Sequence, residues 1–223
     1  ALPHKLAGFQ DLENDAVRAR FDAAWGVTIP PKKGWHLTEM LHAMEKKQLT
    51  SLYVIGENPA QSEADTHHTI ALLEGLEHLV VQDMFLTRTA EMADVVLPAS
   101  ASWCEAEGTV TNSERRVQRV RRALKPPGQA RDDIEIIGDL SRRLGYDLGR
   151  PTSEEVWNEV RRLSPMHRGM SYAHLEASGG IQWPCPEDGH PGEPYLHGRL
   201  WAQPLVGPAA PFSVVTTLVS MLA

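Results

Sequence analysis

Cysteine is nearly absent from this sequence: Cys104 and Cys185 are the only two in 223 residues. So few, so far apart, exclude a disulfide framework and a cysteine-based metal or redox motif. They favour a reducing compartment, the cytoplasm, with the periplasm as the alternative. Two thiolates also fall short of the four that hold an iron–sulfur cluster. Long apolar runs are missing too. Nothing approaches a membrane span, and Val214 to Ala223 is short and interrupted by Thr and Ser. Positive charge is scarce, with 22 Lys and Arg against 29 Asp and Glu, a formal net charge of −7. That balance argues against a general nucleic-acid binder, and any phosphate would rely on backbone N–H groups and a few arginines. The opening Ala1-Leu2-Pro3-His4 has no initiator methionine and no signal-peptide pattern, so it reads as the interior of a longer chain.

What is present reads as α/β. The apolar runs Leu52-Tyr53-Val54-Ile55, Leu79-Val80-Val81 and Val95-Val96-Leu97 are continuous and free of proline. Such runs suit parallel strands covered on both faces. Helices are expected between them, from Asp65 to Leu76 and in a short stretch beginning near Thr87. Ahead of them, Asp11 to Trp25 has helical spacing ended by Gly26, and Thr38 is expected to cap a second helix. This order predicts a Rossmann-like parallel sheet with helices on both faces. Beyond Pro98 a polar loop is expected from Ala99 to Asn112, then an extended edge from Val117 to Ala123. A helix is expected from Asp132 or Asp133, with Ile134, Ile137, Leu140 and Leu144 as its apolar stripe, and another from Ser153 with Val156, Val160 and Leu163. From Ser164 onward, Gly, Pro and His predict an irregular C-terminal wrap. The expected domains are a lead-in with a peripheral helix at 1–36, an α/β domain at 37–163 and an irregular segment at 164–223.

In open α/β sheets, ligands sit beyond the carboxyl ends of the strands. Here that edge carries Gly56-Glu57-Asn58-Pro59 after one strand and Gln82-Asp83 after the next. Gly56 permits close backbone approach, and Glu57 and Asn58 can bond a ribose or a base edge. By spacing alone a plain turn is the stronger reading of that loop. Asp83 can accept from the N1–H and N2–H of guanine, a match adenine cannot offer, or it can cap the following helix. Asp133 likewise suits a cap. Arg115, Arg116, Arg119, Arg121 and Arg122 form the basic cluster, read as a solvated or interdomain face. His67-His68 lack the companions of a metal site.

The run Ala93-Asp94-Val95-Val96-Leu97-Pro98, Trp103, Glu105, Glu107-Gly108-Thr109, Thr111-Asn112 and Glu114-Arg115-Arg116-Val117-Gln118 resembles the molybdopterin oxidoreductases. That superfamily holds formate dehydrogenases, periplasmic nitrate reductases and dimethyl sulfoxide reductase. Gly179-Gly180-Ile181-Gln182-Trp183-Pro184-Cys185-Pro186 is similar to the matching segment of formate dehydrogenase catalytic subunits. The resemblance runs from Leu2 to Pro204.

It implies a bis-molybdopterin guanine dinucleotide cofactor with molybdenum or tungsten, and makes 37–163 a dinucleotide-binding domain. It implies that the Gly56 to Pro59 loop lines one dinucleotide arm. Gln82, Asp83 and Thr87 fall on guanosine-binding positions, and Asp133 lies near the same nucleotide. The loop from Trp103 to Glu114 would close over the cofactor and meet neighbouring domains. Val215-Thr216-Thr217-Leu218 reaches the place where relatives carry Thr-Gly-Arg and then departs. No active-site Cys, His and Arg set is found, so the expectation is a central portion of a catalytic subunit, inactive alone. Its partners would be the subunit's remaining domains and iron–sulfur electron-transfer subunits, with no nucleic acid and no membrane insertion. The alternative is a non-catalytic scaffold or nucleotide-binding module related to the large subunit of respiratory complex I.

Overall fold

A computed structural model describes residues 2–196; Pro204 and the stretch 214–223 lie outside them. The chain opens with a short antiparallel hairpin, β1 (Lys5–Leu6) and β2 (Gln10–Asp11). Helix α1 (Asp15–Trp25) follows, capped by Asn14, whose side chain accepts from the Ala16 and Val17 amides. The helix therefore starts later than its apolar spacing suggests, because Asp11 is spent on the hairpin. Helix α2 (Leu37–Glu45) is capped by His36 in a reciprocal box with Glu39. Thr38, the expected cap, lies inside the helix.

The three apolar runs form the expected sheet. Strands β3 (Ser51–Ile55), β4 (His78–Asp83) and β5 (Val95–Pro98) are parallel, in the order β3-β4-β5. Helices α3 (Pro59–Ser62), α4 (Thr66–Glu74) and α5 (Arg88–Glu91) connect them. Asp65 and Thr87 cap α4 and α5. Met44, Val54, Ala60, Leu73, Leu79, Val81 and Ala90 make one core. Strand β4 is paired on both sides and extends through Gln82 and Asp83, so both polar residues are held in strand geometry. Strand β5 behaves differently. Successive strand residues point to opposite faces, and Val95 and Val96 are 41% and 37% exposed. Both faces of β5 are thus left partly open.

A second sheet takes in the expected extended edge as its middle strand and recruits partners from the regions expected to be loop and wrap. Strand β6 (Gly108–Thr111) pairs antiparallel with β7 (Arg116–Val120), and β7 pairs with β8 (Ile181–Gln182). Helices α6 (Asp133–Arg143), α7 (Ser153–Leu163) and α8 (Tyr172–Ala177) complete the described elements. Only the first part of the expected Ala99–Asn112 loop stays irregular, and the segment after Ser164 supplies both α8 and β8. Val117, Met170, Leu175, Ile181 and Cys185 form this sheet's own core. Gly180 has φ +105°, and a Cβ there would come within 2.7 Å of Gln118 Cγ. Only glycine lets β8 approach β7 so closely.

Two further expectations fail here. In α6 the buried residues are Ile136 and Gly138, whereas Ile137 and Leu144 are 40% and 77% exposed. The arginine cluster is also not simply a solvated face. The Arg119 guanidinium lies 3.2 Å above the Tyr172 ring and pairs with Glu107 and Glu176. Arg116 donates to the Gly180 carbonyl and Arg115 to that of Trp183. Arg121 and Arg122 remain exposed, paired with Glu176 and Asp132.

Core position therefore separates two leucines. Leu79→Ala should cost about 3 kcal/mol of stability, while Leu144→Ala should change it by no more than about 0.5 kcal/mol. Urea denaturation of both variants checks this.

Candidate functional site

Parallel pairing brings the ends of β3 and β4 level: Ile55 lies opposite Gln82, and the Gly56 amide donates to the Gln82 carbonyl at 2.9 Å. Gly56 continues the ladder past β3 with φ +63°, and a Cβ there would meet nothing within 4 Å. The glycine is needed for its torsion, and the space above it is open. Glu57 is exposed and makes no hydrogen bond or ion pair among the described residues. Asn58 is already committed. Its Oδ1 accepts from the Thr89 amide at 3.2 Å and hydroxyl at 2.8 Å, and its Nδ2 donates to Gln61. Asn58 therefore shapes the loop.

Asp83 ends β4, but it does not cap α5; Thr87 does, accepting from the Ala90 amide at 3.2 Å. Asp83 Oδ1 accepts from the Phe85 amide at 3.0 Å, an Asx turn that leads the chain out of the strand. Asp83 Oδ2 has no partner among the described residues. Next to it stand Met84, Phe85 and Leu86, all exposed.

Gln82 is 0% exposed. Its amide oxygen accepts from the Tyr53 hydroxyl, and its amide nitrogen donates to Asp133 Oδ1. Burial, aided by the Asp133 charge, pushes the Tyr53 phenol up from its ordinary range. Asp132, not Asp133, caps α6, accepting from the Ile134 amide at 3.0 Å. Asp133 is thereby released from capping and faces the sheet. The helix start is placed by the backbone: Arg131 donates to the Pro98 carbonyl at 3.1 Å and accepts from the Ser100 amide at 2.8 Å.

The structure thus links Gly56, Gln82 and Asp133 in one hydrogen-bonded chain along the carboxyl edge, with Asp83 at the end of the same strand as Gln82. Asn58 is tied separately to Thr89, just beyond Thr87. Sequence reasoning missed Tyr53 and Thr89. The signal for Tyr53 was a single polar tip inside an apolar strand, and Thr89 gave none. A separate cavity of about 240 Å³ is lined by Arg131, Ile134, Glu135, Asp139, Arg150 and Pro151, none of them a predicted site residue. Arg131 holds the Asp139 carboxyl below its usual range. Among the described residues, no cluster of His, Cys, Asp or Glu could hold a metal ion. His68 instead meets Glu45 at 2.8 Å. Nor is any described helix long and apolar enough to cross a membrane.

An edge with uncommitted carboxylate oxygens on Asp83, Glu57 and Asp133 suits a ligand that presents hydrogen-bond donors, such as a guanine base and its ribose. The sequence profile of the molybdopterin oxidoreductases matches residues 4–143, and the chain belongs to that family. Membership implies a molybdopterin cofactor.

Among its relatives is the alpha subunit of the F420-dependent formate dehydrogenase of Methanocaldococcus jannaschii. It is 43% identical over 199 residues, which is 88% of this chain and 29% of that protein. A Staphylococcus aureus protein provisionally named a formate dehydrogenase is 41% identical over 197 residues, covering 88% of this chain and 20% of its own length. This chain therefore spans less than a third of either relative. Acetylene hydratase from Pelobacter acetylenicus has a similar fold, with a TM-score of 0.53 at 20% identity, covering 77% of this chain and 24% of the hydratase.

The link from Tyr53 to Asp133 can be read without any ligand. Asp133→Asn should bring the Tyr53 phenol back toward its ordinary range. An alkaline absorbance titration, with Tyr53→Phe to assign the signal, checks the direction. An unchanged Tyr53 titration in the Asn variant would mean that Asp133 is not its neighbour.

Proposed function

We propose that this chain is the cofactor-binding middle portion of a molybdenum- or tungsten-dependent formate dehydrogenase catalytic subunit. In this reading 37–163 is the dinucleotide-binding domain, 1–36 leads into it, and 164–223 leads to the rest of the subunit. The cofactor is bis-molybdopterin guanine dinucleotide. Its metal supplies the two-electron chemistry by which formate becomes carbon dioxide and a proton, with the electrons passing to iron–sulfur partner subunits. What this chain contributes is binding. Asp83 accepts from the guanine N1–H and N2–H, Glu57 meets a ribose or base edge, and the Gly56 backbone allows close approach. Asn58 and Thr87 act by shaping the walls of the pocket.

The observation that carries the reading is the split role of Asp83. One oxygen is committed to the Phe85 amide in the turn after β4, which leaves the other with no partner among the described residues. A carboxylate fixed in this way distinguishes guanine from adenine, which offers no matching pair of donors. The high identity to formate dehydrogenase relatives supports the substrate. Two cysteines in 223 residues favour a reducing compartment, so the proposed location is the cytoplasm.

Base selectivity tests it. The chain should bind GDP more tightly than ADP, and Asp83→Asn should weaken GDP by about 2–3 kcal/mol, a factor of roughly 30–150. The Asn variant keeps an oxygen for the Phe85 amide, so its melting temperature should stay near that of the parent, whereas Asp83→Ala should lower both. Equal affinity for GDP and ADP, unchanged by either substitution, would remove Asp83 from the site.

Activity gives a second check. The isolated chain, lacking a recognisable Cys, His and Arg set, should not reduce an acceptor dye with formate. Reproducible turnover by the purified 223-residue chain would overturn its assignment as a binding portion only.

A further inference from the structure

The hydrogen bonds at the carboxyl edge run in one direction. The Asp133 carboxylate only accepts, so the Gln82 amide must turn its nitrogen toward it. That leaves the amide oxygen for Tyr53, whose hydroxyl must donate. Gln82 is 0% exposed, and both polar atoms of its amide are committed within the protein. Asp133, by contrast, is held through Oδ1 only. Its Oδ2 has no partner among the described residues, and the residue sits at the first position of α6.

We propose that Tyr53 and Gln82 are positioning residues, which fix the Asp133 carboxylate as an acceptor for a donor on the nucleoside end of the ligand, a ribose hydroxyl or a guanine N–H. The inference rests on the guanosine reading above and adds two residues that touch no ligand themselves. An aspartate beside a helix N-terminus is drawn toward the helix's own unpaired amides. Two devices prevent that. Asp132 already occupies the cap, and Gln82 holds Asp133 from the sheet side. The rotamer freedom of Asp133 is then lost on folding, not on binding, which favours affinity. Tyr53 closes the far end of the relay, because an amide turned by one partner alone would leave its oxygen buried and unpaired. A phenol is protonated through the neutral range in any case, and burial of Tyr53 acts in the same direction, so its hydroxyl can donate.

A purely structural bridge between β3 and α6 would use the same bonds, so the test must read binding as well as stability. GDP and ADP are titrated by calorimetry against the parent chain, Tyr53→Phe, Gln82→Met, Asp133→Asn and the double variant Tyr53→Phe with Asp133→Asn, with melting curves on each sample. Asp133→Asn can still accept from Gln82 through its amide oxygen, so it removes the outward acceptor while keeping the relay. Tyr53→Phe and Gln82→Met should each weaken GDP about five- to ten-fold. Adding Tyr53→Phe to Asp133→Asn should change GDP affinity by less than about two-fold, because the group being positioned is already gone. If Gln82→Met does not fold, the Tyr53 pair decides alone. Tyr53→Phe that lowers only the melting temperature, or weakens GDP equally in both backgrounds, overturns the positioning role. A parent chain that prefers GDP while these variants bind as it does removes this inference and leaves the guanosine reading standing. A parent chain with no preference for GDP over ADP removes both.

Discussion

An amide sealed from water must find its partners inside the protein, at a cost on the order of 1–3 kcal/mol if it fails. Gln82 is such an amide, placed at the far end of a strand whose backbone is paired on both sides. Its oxygen fixes Tyr53 on the neighbouring strand, and its nitrogen fixes Asp133 on a helix that enters the sequence much later. Its backbone carbonyl takes the Gly56 amide. One buried residue, through its side chain and its backbone, therefore sets the spacing of all three segments that meet at the carboxyl edge. The open acceptors at that edge, on Asp83 and Asp133, keep their places because their other oxygens are spent.

The same device recurs with an arginine at the second sheet. Arg119, its side chain only 8% exposed, is satisfied by two glutamates, a backbone carbonyl and the face of Tyr172. Arg115 and Arg116 bind carbonyls of the 180–183 segment, which stitches β8 to β7 from outside the ladder. In both sheets a polar side chain does the joining, and apolar packing fills what remains. A charge on its own would be costly in these positions; here each has its partners.

The parts legible in the sequence were those where one strong local rule acts alone. Continuous apolar runs marked β3, β4 and β5, and strand-end polar residues marked the edge. Asp83 and Gln82 were placed at the strand end because the run stops abruptly at them, although the difference between them, one half-buried and one sealed from water, depends on which neighbour each meets. The second sheet stayed hidden because its strands are short and partly polar: Gly108-Thr109-Val110-Thr111 reads as loop without knowledge of its partner, and β8 has only two residues. The stripe expected on α6 failed for a similar reason. Ile134, Ile137, Leu140 and Leu144 share a helical face, but the buried residues Ile136 and Gly138 lie off that set. Composition also reads an arginine run as solvent-facing, since stacking on a tyrosine or capture by a carbonyl leaves no trace in one dimension.

The strand order β3-β4-β5 follows the order of the chain. Each strand meets the next after one short helical crossover, so the first sheet closes only small loops, and the entropic cost of closure rises with loop length. The second sheet needs Ile181 to come back to Val117, across three helices. Contacts so distant in sequence form slowly relative to local ones. During synthesis the carboxyl edge with Gly56, Gln82 and Asp83 can thus take shape first, while Asp133 arrives later to complete the relay and β8 later still.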